Sequence, residues 1–324
     1  MITLSLVHEE VIKAYDQILG FVHHTALVYS HPLSDLIDGK VYLKCENEQY
    51  TGSFKARGSL NKMISLTDQE RKIGVVTAST GNHALGFSRA LTLTNTKGTV
   101  YLPTNASTAK IQALSYYSAE LVRYGDNSLS TELHAKEMAK QAGLTWMSPY
   151  NDLNIIAGQG TIAVEIFQEI EDLDCILVTV GGGGLISGIG GYAKVACPSI
   201  RMVGCQPRNS PEMTLSLEAG HIVDLPKNID TLSDGSAGGI EPNAVTFGLC
   251  QEIIDESILV TEQEIKHAIR FVFNHHKKVI EGAAAVAVAS LINNVEKFKN
   301  KSVVIVLCGS NIDSEKFINI LKEK

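Results

Sequence analysis

Apolar positions along the chain fall into two rhythms. Residues 1 to about 20 repeat at helical spacing, with Val11, Ile12, Ala14, Tyr15, Ile18 and Leu19 on one stripe, which predicts an amphipathic helix. A strand-like run, Lys40–Glu46, follows. After Ser53, the positions Leu60, Met63 and Ile64 give a second helical face. From Gly74 the chain alternates regularly: strand Gly74–Ala78, helix Ala84–Leu91, strand Thr99–Leu102, helix Ala109–Tyr117, strand Glu120–Tyr124, helix Glu132–Ala142, strand Leu144–Met147. Such alternation is the signature of a parallel sheet with helical crossovers. A long helix from Ile156 to about Glu171, strand Ile176–Val180, a helix opening at Leu185, strand Met202–Cys205, a helix headed by the capping box Thr261-Glu262-Gln263-Glu264, the Ala-rich buried helix after Glu281 and strand Val303–Leu307 complete the pattern. Length suits two domains of ordinary size.

One interruption stands out, the run Gly181-Gly182-Gly183-Gly184 between the apolar strand Ile176–Val180 and the helix that follows. A tight strand-to-helix turn needs one or two glycines, whereas four fit a backbone that must approach a ligand closely. Its N–H groups and the helix N-terminus together make an anion site suited to phosphate. No Lys-Ser or Lys-Thr pair closes it as in a Walker A loop. A dinucleotide fingerprint could be spelled only from Gly188, Gly190 and Ala193, past the turn.

Charge and cysteine usage narrow the function classes. The chain has 28 Lys+Arg against 35 Asp+Glu, a formal charge of -7, and no basic cluster, which argues against nucleic acid or anionic membrane as partner. Its 6 cysteines are scattered without a C-x-x-C pair, which fits a reducing cytoplasm and neither a disulfide framework nor a zinc site. The first residues lack a basic n-region and cleavage site, and no uncharged run reaches membrane-spanning length.

Three further stretches carry candidate chemistry. In Tyr50-Thr51-Gly52-Ser53-Phe54-Lys55, Gly52-Ser53 reads as a turn with an N-cap, and Lys55 falls in the first turn of the helix. The helix dipole and burial both favour its neutral amine there, the form imine chemistry requires. Ser79-Thr80-Gly81-Asn82-His83 places polar groups at the C-terminal end of a strand, where open α/β sheets bind ligands. The Pro-, Gly-, Asp- and Ser-rich residues 224 to 244 form a long loop, a usual place for function.

In combination, Ser53-Phe54-Lys55, Ser79-Thr80-Gly81-Asn82-His83, Gly181–Gly184 and Cys308-Gly309-Ser310-Asn311 resemble the serine/threonine dehydratase and serine racemase family from about Thr25 to the C-terminus. The resemblance implies pyridoxal phosphate as cofactor and the tryptophan synthase β-subunit-like fold of fold type II. That fold has two domains, each an open, mostly parallel twisted sheet flanked by helices: residues 1–66 and 149–324 in a large domain, and 67–148 in a small mobile one. It implies that Lys55 carries the cofactor as a Schiff base with Phe54 against the ring, and that Asn82 bonds the ring's 3-oxygen. Gly181, Gly182, Gly183, Gly184 and Leu185 would hold the phosphate. Glu281 would lie on the ring's oxygen side, and Cys308 would face the ring nitrogen. Ser79, Thr80, Asn82 and His83 would receive the substrate carboxylate.

A thiol at the nitrogen leaves the ring mostly neutral, a shallower electron sink that suits β-elimination over transamination. The implied reaction converts L-threonine to 2-oxobutanoate, or L-serine to pyruvate, with ammonia released; 3-hydroxyaspartate stays open as a substrate. The implied assembly is a homodimer. Thr80 stands where racemases of the family use a serine hydroxyl and typical dehydratases have alanine, so racemization stays open as well. In the Pro149-Tyr150 pair, the aromatic favours the dehydratase. A protein that keeps the fold and binds the cofactor without catalysis is the alternative from another class, and retention of Lys55 argues against it. The family's cation site usually begins with Glu where this chain has Gln206, which leaves Ser210 and Glu212 and weakens a hard-cation site. No metal is expected.

Overall fold

The structure, a computed structural model, describes residues 2–225 and 229–323. Residues 226–228 of the predicted 224–244 loop lie outside the described residues.

Ten strands form two sheets among the described residues. In chain order they are β1 (Leu27–Tyr29), β2 (Lys40–Lys44), β3 (Val75–Ala78), β4 (Gly98–Leu102), β5 (Glu120–Arg123), β6 (Thr145–Trp146), β7 (Cys175–Thr179), β8 (Arg201–Pro207), β9 (Glu256–Val260) and β10 (Ser302–Val306). The larger sheet runs β1-β2-β10-β7-β8-β9 and the smaller β5-β4-β3-β6. Only β1 is antiparallel, pairing Val28 with Leu43 at the sheet's edge.

Every residue of β7 is buried, because helices cover both faces of the larger sheet. Strands in that position need apolar side chains on both sides, which explains why Cys175–Val180 does not alternate. Gly282–Ile292 packs against β7, β8 and β10 and is buried from Gly282 through Leu291. Leu4–Ile18, Leu153–Glu169 and Gly184–Ala196 pack against one another.

All four strands of the smaller sheet fall between residues 75 and 146. The hydrophobic cluster beneath it joins Phe87, Leu91, Val100 and Leu102 to Leu60 and Met63 from the helix Lys55–Ser65 and to Leu66 at its C-terminal end. The helix that opens with Lys55 thus shares the smaller sheet's hydrophobic cluster, while Ser53 and Phe54 just before it bond to Gly309 and Cys308 beyond β10.

Parallel strands put their C-terminal ends on one edge. Within the larger sheet this places the glycine run after β7 and Cys308 after β10 at the same cleft, which Asn82 after β3 of the smaller sheet also lines.

Two local readings change. The helix after β3 begins at Asn82, not Ala84, so Asn82 and His83 occupy its first turn. Ser53 is not a side-chain cap. Its backbone is extended, it forms an isolated antiparallel bridge with Gly309, and Phe54 takes the cap position without a side-chain bond. Ser-then-helix spacing looks the same in sequence whether the serine caps the helix or pairs with a strand end.

Candidate active site

Lys55 occupies the first position of its helix, immediately after the bridge that ties Ser53 to Gly309. Its half-buried amine donates to the carbonyl of Pro149 at 2.7 Å. Burial pushes its pKa down to about 8, against the opposing pull of Cys308 and Glu281. A substantial neutral fraction therefore exists near physiological pH.

The glycine run lies opposite, with Gly183 at φ +89°, a left-handed conformation that favours glycine. A Cβ on Gly182 would stand 2.6 Å from the ring of Tyr150, and one on Gly181 would stand 2.8 Å from the carbonyl of Ser236. Both positions are sterically restricted to glycine. Tyr150 is held in turn by its hydroxyl, which accepts the N–H of Glu241 at 2.7 Å.

Lys55, Phe54, Asn82, Gly181–Gly184, Leu185, Glu281 and Cys308 all line one cavity of 1540 Å³. Glu281 is buried, and its two oxygens accept from Asn82 Nδ2 at 2.7 Å and Asn311 N–H at 3.1 Å. Burial and the charge of Asp234 push its carboxyl up to about 7. Burial, with Glu281 beside it, raises the Cys308 thiol well above its ordinary value, so it stays protonated.

Ser79, Thr80 and His83 do not line that cavity. Ser79 Oγ accepts the N–H of Gly81 at 3.2 Å. The ring of His83 turns toward β3 and the segment after β6, with Nε2 3.0 Å from Thr77 Oγ1 and 3.3 Å from the carbonyl of Met147. Because Thr77 Oγ1 itself donates to Met147 O at 2.9 Å, the ring proton must sit on Nε2. Burial and the charge of Lys55 push His83 down to about 3, so it is neutral.

Two participants escaped the sequence reading. Asn311 lay in a quoted motif without a role, and it contacts Asn82, Glu281 and the loop before Lys55. Tyr150, which in sequence bears only on dehydratase against racemase, puts its ring behind Gly182 and its Cβ and backbone behind Gly184. Both contacts join residues far apart in the chain, and no local spacing announces them.

At the implied cation position, Gln206 Oε1 accepts both the N–H and the hydroxyl of Thr214 at 2.7 Å, and Glu212 Oε2 accepts from Ser210 at 2.6 Å. These oxygens are already committed, and no group of three or more His, Cys, Asp or Glu side chains among the described residues is arranged to hold a metal.

The family model described as pyridoxal-phosphate dependent enzyme matches residues 18–309. The chain belongs to that family. An L-threonine ammonia-lyase of Thermotoga maritima is 40% identical over 313 residues, covering 97% of this chain and 76% of that one. The processed form of threonine deaminase isoform 2 from Solanum lycopersicum superposes with a TM-score of 0.92 at 34% identity, covering 98% of this chain and 92% of the other. Serine racemase from Dictyostelium discoideum gives 0.88 at 33%, covering 96% and 99%. These neighbours share the two-sheet architecture, so this pyridoxal-phosphate dependent enzyme has fold type II. The cavity fits the family's cofactor: a near-neutral lysine amine and a glycine cradle with no room for side chains open onto the same space. No helix among the described residues is long and apolar enough to cross a membrane.

Proposed function

We propose that this chain removes water from a β-hydroxy amino acid, converting L-threonine to 2-oxobutanoate or L-serine to pyruvate with release of ammonia. The relatives named as threonine ammonia-lyase and threonine deaminase support the substrate class. The observation that carries the chemistry is the Lys55 amine, its pKa lowered by burial, in the cavity that the glycine run also lines.

Bound pyridoxal phosphate supplies the sink for the electron pair left at Cα. Lys55 would hold the cofactor, and its free amine would take the Cα proton of the substrate. The backbone N–H groups of Gly181 to Leu185, at the start of the helix Gly184–Ala196, hold the phosphate. Phe54, Asn82 and Glu281 line the same cavity and would hold the cofactor there, with Asn82 as a hydrogen-bond donor. Cys308, a neutral thiol lining the cavity, would face the ring nitrogen and keep the sink shallow, which would favour expelling the β-hydroxyl.

Of the turn Ser79 to His83 only Asn82 lines the cavity, so the substrate carboxylate would be received there, at the N-terminus of the helix Asn82–Thr94 that Asn82 opens. The ring of His83 is spent on Thr77 and Met147 and is not available to the substrate.

A second reading, racemization, draws on the hydroxyl of Thr80 and on the serine racemase neighbour. A panel of L-serine, L-threonine and 3-hydroxyaspartate, assayed for 2-oxo acid and ammonia with chiral analysis of the residue, separates the two. Ammonia and 2-oxo acid in equal amounts, with the unreacted substrate still L, is the expected result. Racemized residue without ammonia would select the second reading, and no change in any substrate would leave a non-catalytic binder.

We also infer that residues 67–148 move as a lobe over bound substrate and that the working unit is a cytoplasmic homodimer. Small-angle scattering reads the first and the assembly together. A mass twice the chain's 35.0 kDa and a smaller radius of gyration with a substrate analogue are expected. A monomeric mass defeats the dimer, and an unchanged radius defeats the closure.

A further inference from the structure

We propose that Asn311 is a positioning residue that fixes which way the amide of Asn82 faces the cofactor. The inference rests on the reading above that Asn82 meets the cofactor ring.

The two residues come from different lobes. Asn82 opens the helix after β3, and Asn311 follows β10. Asn311 Nδ2 donates to Asn82 Oδ1 at 2.6 Å and to the carbonyl of Thr51 at 2.8 Å. A backbone carbonyl only accepts, so Thr51 settles the orientation of the Asn311 amide. Both of its N–H bonds are then used, and one of them must meet an acceptor on Asn82. The oxygen of Asn82 is thereby assigned to Asn311, and its nitrogen to Glu281 Oε1 at 2.7 Å.

Asn311 cannot swing away freely, because its own N–H donates to Glu281 Oε2 at 3.1 Å. Gly52 closes the other side: at φ +71°, a Cβ there would stand 2.9 Å from Asn311 Oδ1. The neighbouring Ser310 is stitched to the same loop, its N–H to the carbonyl of Gly52 at 2.9 Å and its hydroxyl to that of Asn47 at 2.9 Å.

A planar amide nitrogen has two hydrogens. Glu281 takes one from Asn82, and the other remains for whatever occupies the cavity. Asn82 therefore meets the cofactor's ring oxygen as a donor, which favours the ionised oxygen. Without Asn311 the Asn82 oxygen loses its partner, and the orientation of the amide rests on the single bond from Nδ2 to Glu281.

The test uses pyridoxal phosphate itself, added to the apo form of the full chain. It reads the dissociation constant and the pH midpoint of the bound cofactor's visible absorbance for Asn311→Ala, Asn311→Asp, Asn82→Ala and the double Ala variant. Asp has the shape of Asn but offers no donor, so it keeps the test standing if Ala folds poorly by circular dichroism. Each change at 311 is expected to weaken binding about 3- to 10-fold, the worth of one hydrogen bond, and to move the absorbance midpoint. In the Asn82→Ala background the change at 311 should add less than about twofold, because its route is gone.

An equal loss in both backgrounds, or none in either, overturns the inference. The two ways of failing separate cleanly. If Asn82→Ala weakens binding and Asn311→Ala does not, only the role of Asn311 falls. If Asn82→Ala leaves binding and spectrum unchanged, the contact between Asn82 and the cofactor is wrong, and the inference falls with it.

Discussion

Lys55→Ala is expected to lower release of 2-oxo acid by about 10²- to 10⁴-fold or more, the range lost with a positioned proton-transfer group, while the protein stays folded. The fold tolerates the change because the amine makes one hydrogen bond, to Pro149. Far-UV circular dichroism and a urea melt check the second half of that statement. The same variant should fail to develop the visible absorbance of lysine-bound cofactor.

The wild-type apo protein adds a pH arm. Capture of the aldehyde needs the neutral amine, and burial lowers its pKa from 10.5 to about 8. The capture rate should rise tenfold per pH unit below that value and level off above it. A midpoint left at the ordinary lysine value, or undiminished turnover in Lys55→Ala, would remove the basis of the proposed reaction.

Arg57→Leu is expected to cost about 3–5 kcal/mol of stability, the penalty for breaking a buried ion pair from one side. Arg57 is fully buried, as are Lys44 and Glu46, and Glu165 is nearly so. Its guanidinium reaches Glu46 at 2.8 Å through Nε and Glu165 at 2.6 Å, and donates further to Thr161 and to the carbonyl of His23. Lys44 reaches Glu165 at 2.5 Å from the other side.

Leucine leaves two carboxylates facing one lysine with no water to screen them. Arg57→Lys should recover only part of the loss, since an ammonium cannot match the planar fork that serves both acids. Equilibrium urea unfolding measures both variants. A loss under about 1 kcal/mol, the scale of exposed pairs, would show that solvent reaches the cluster. Because Arg57 lies two residues beyond Lys55, partial unfolding there should also weaken cofactor retention.

The quartet marks a boundary of what one-dimensional reading can see. Lys44, Glu46, Arg57 and Glu165 each sit in amphipathic or strand-like stretches where a charge reads as solvated. Only the crossing of β2, the helix Lys55–Ser65 and the helix Leu153–Glu169 makes them mutual neighbours. Asn311 is a similar case: its partners are 229, 260 and 30 residues away in the chain. Tyr150 against Gly182 is another.

By itself the sequence determined the elements, the parallel alternation of 74–147, the glycine cradle and the family. Each of these is written in local periodicity, or in residue types whose backbone demands are local: glycine where no Cβ fits, lysine in a helix's first turn. Tertiary structure decided which polar side chains face the cleft and which face inward. It turned the ring of His83 onto Thr77 and Met147, took Ser53 from a helix cap into a bridge with Gly309, and committed Gln206 to Thr214. Side-chain direction at a strand end depends on what packs behind it, and that partner is supplied by another part of the chain.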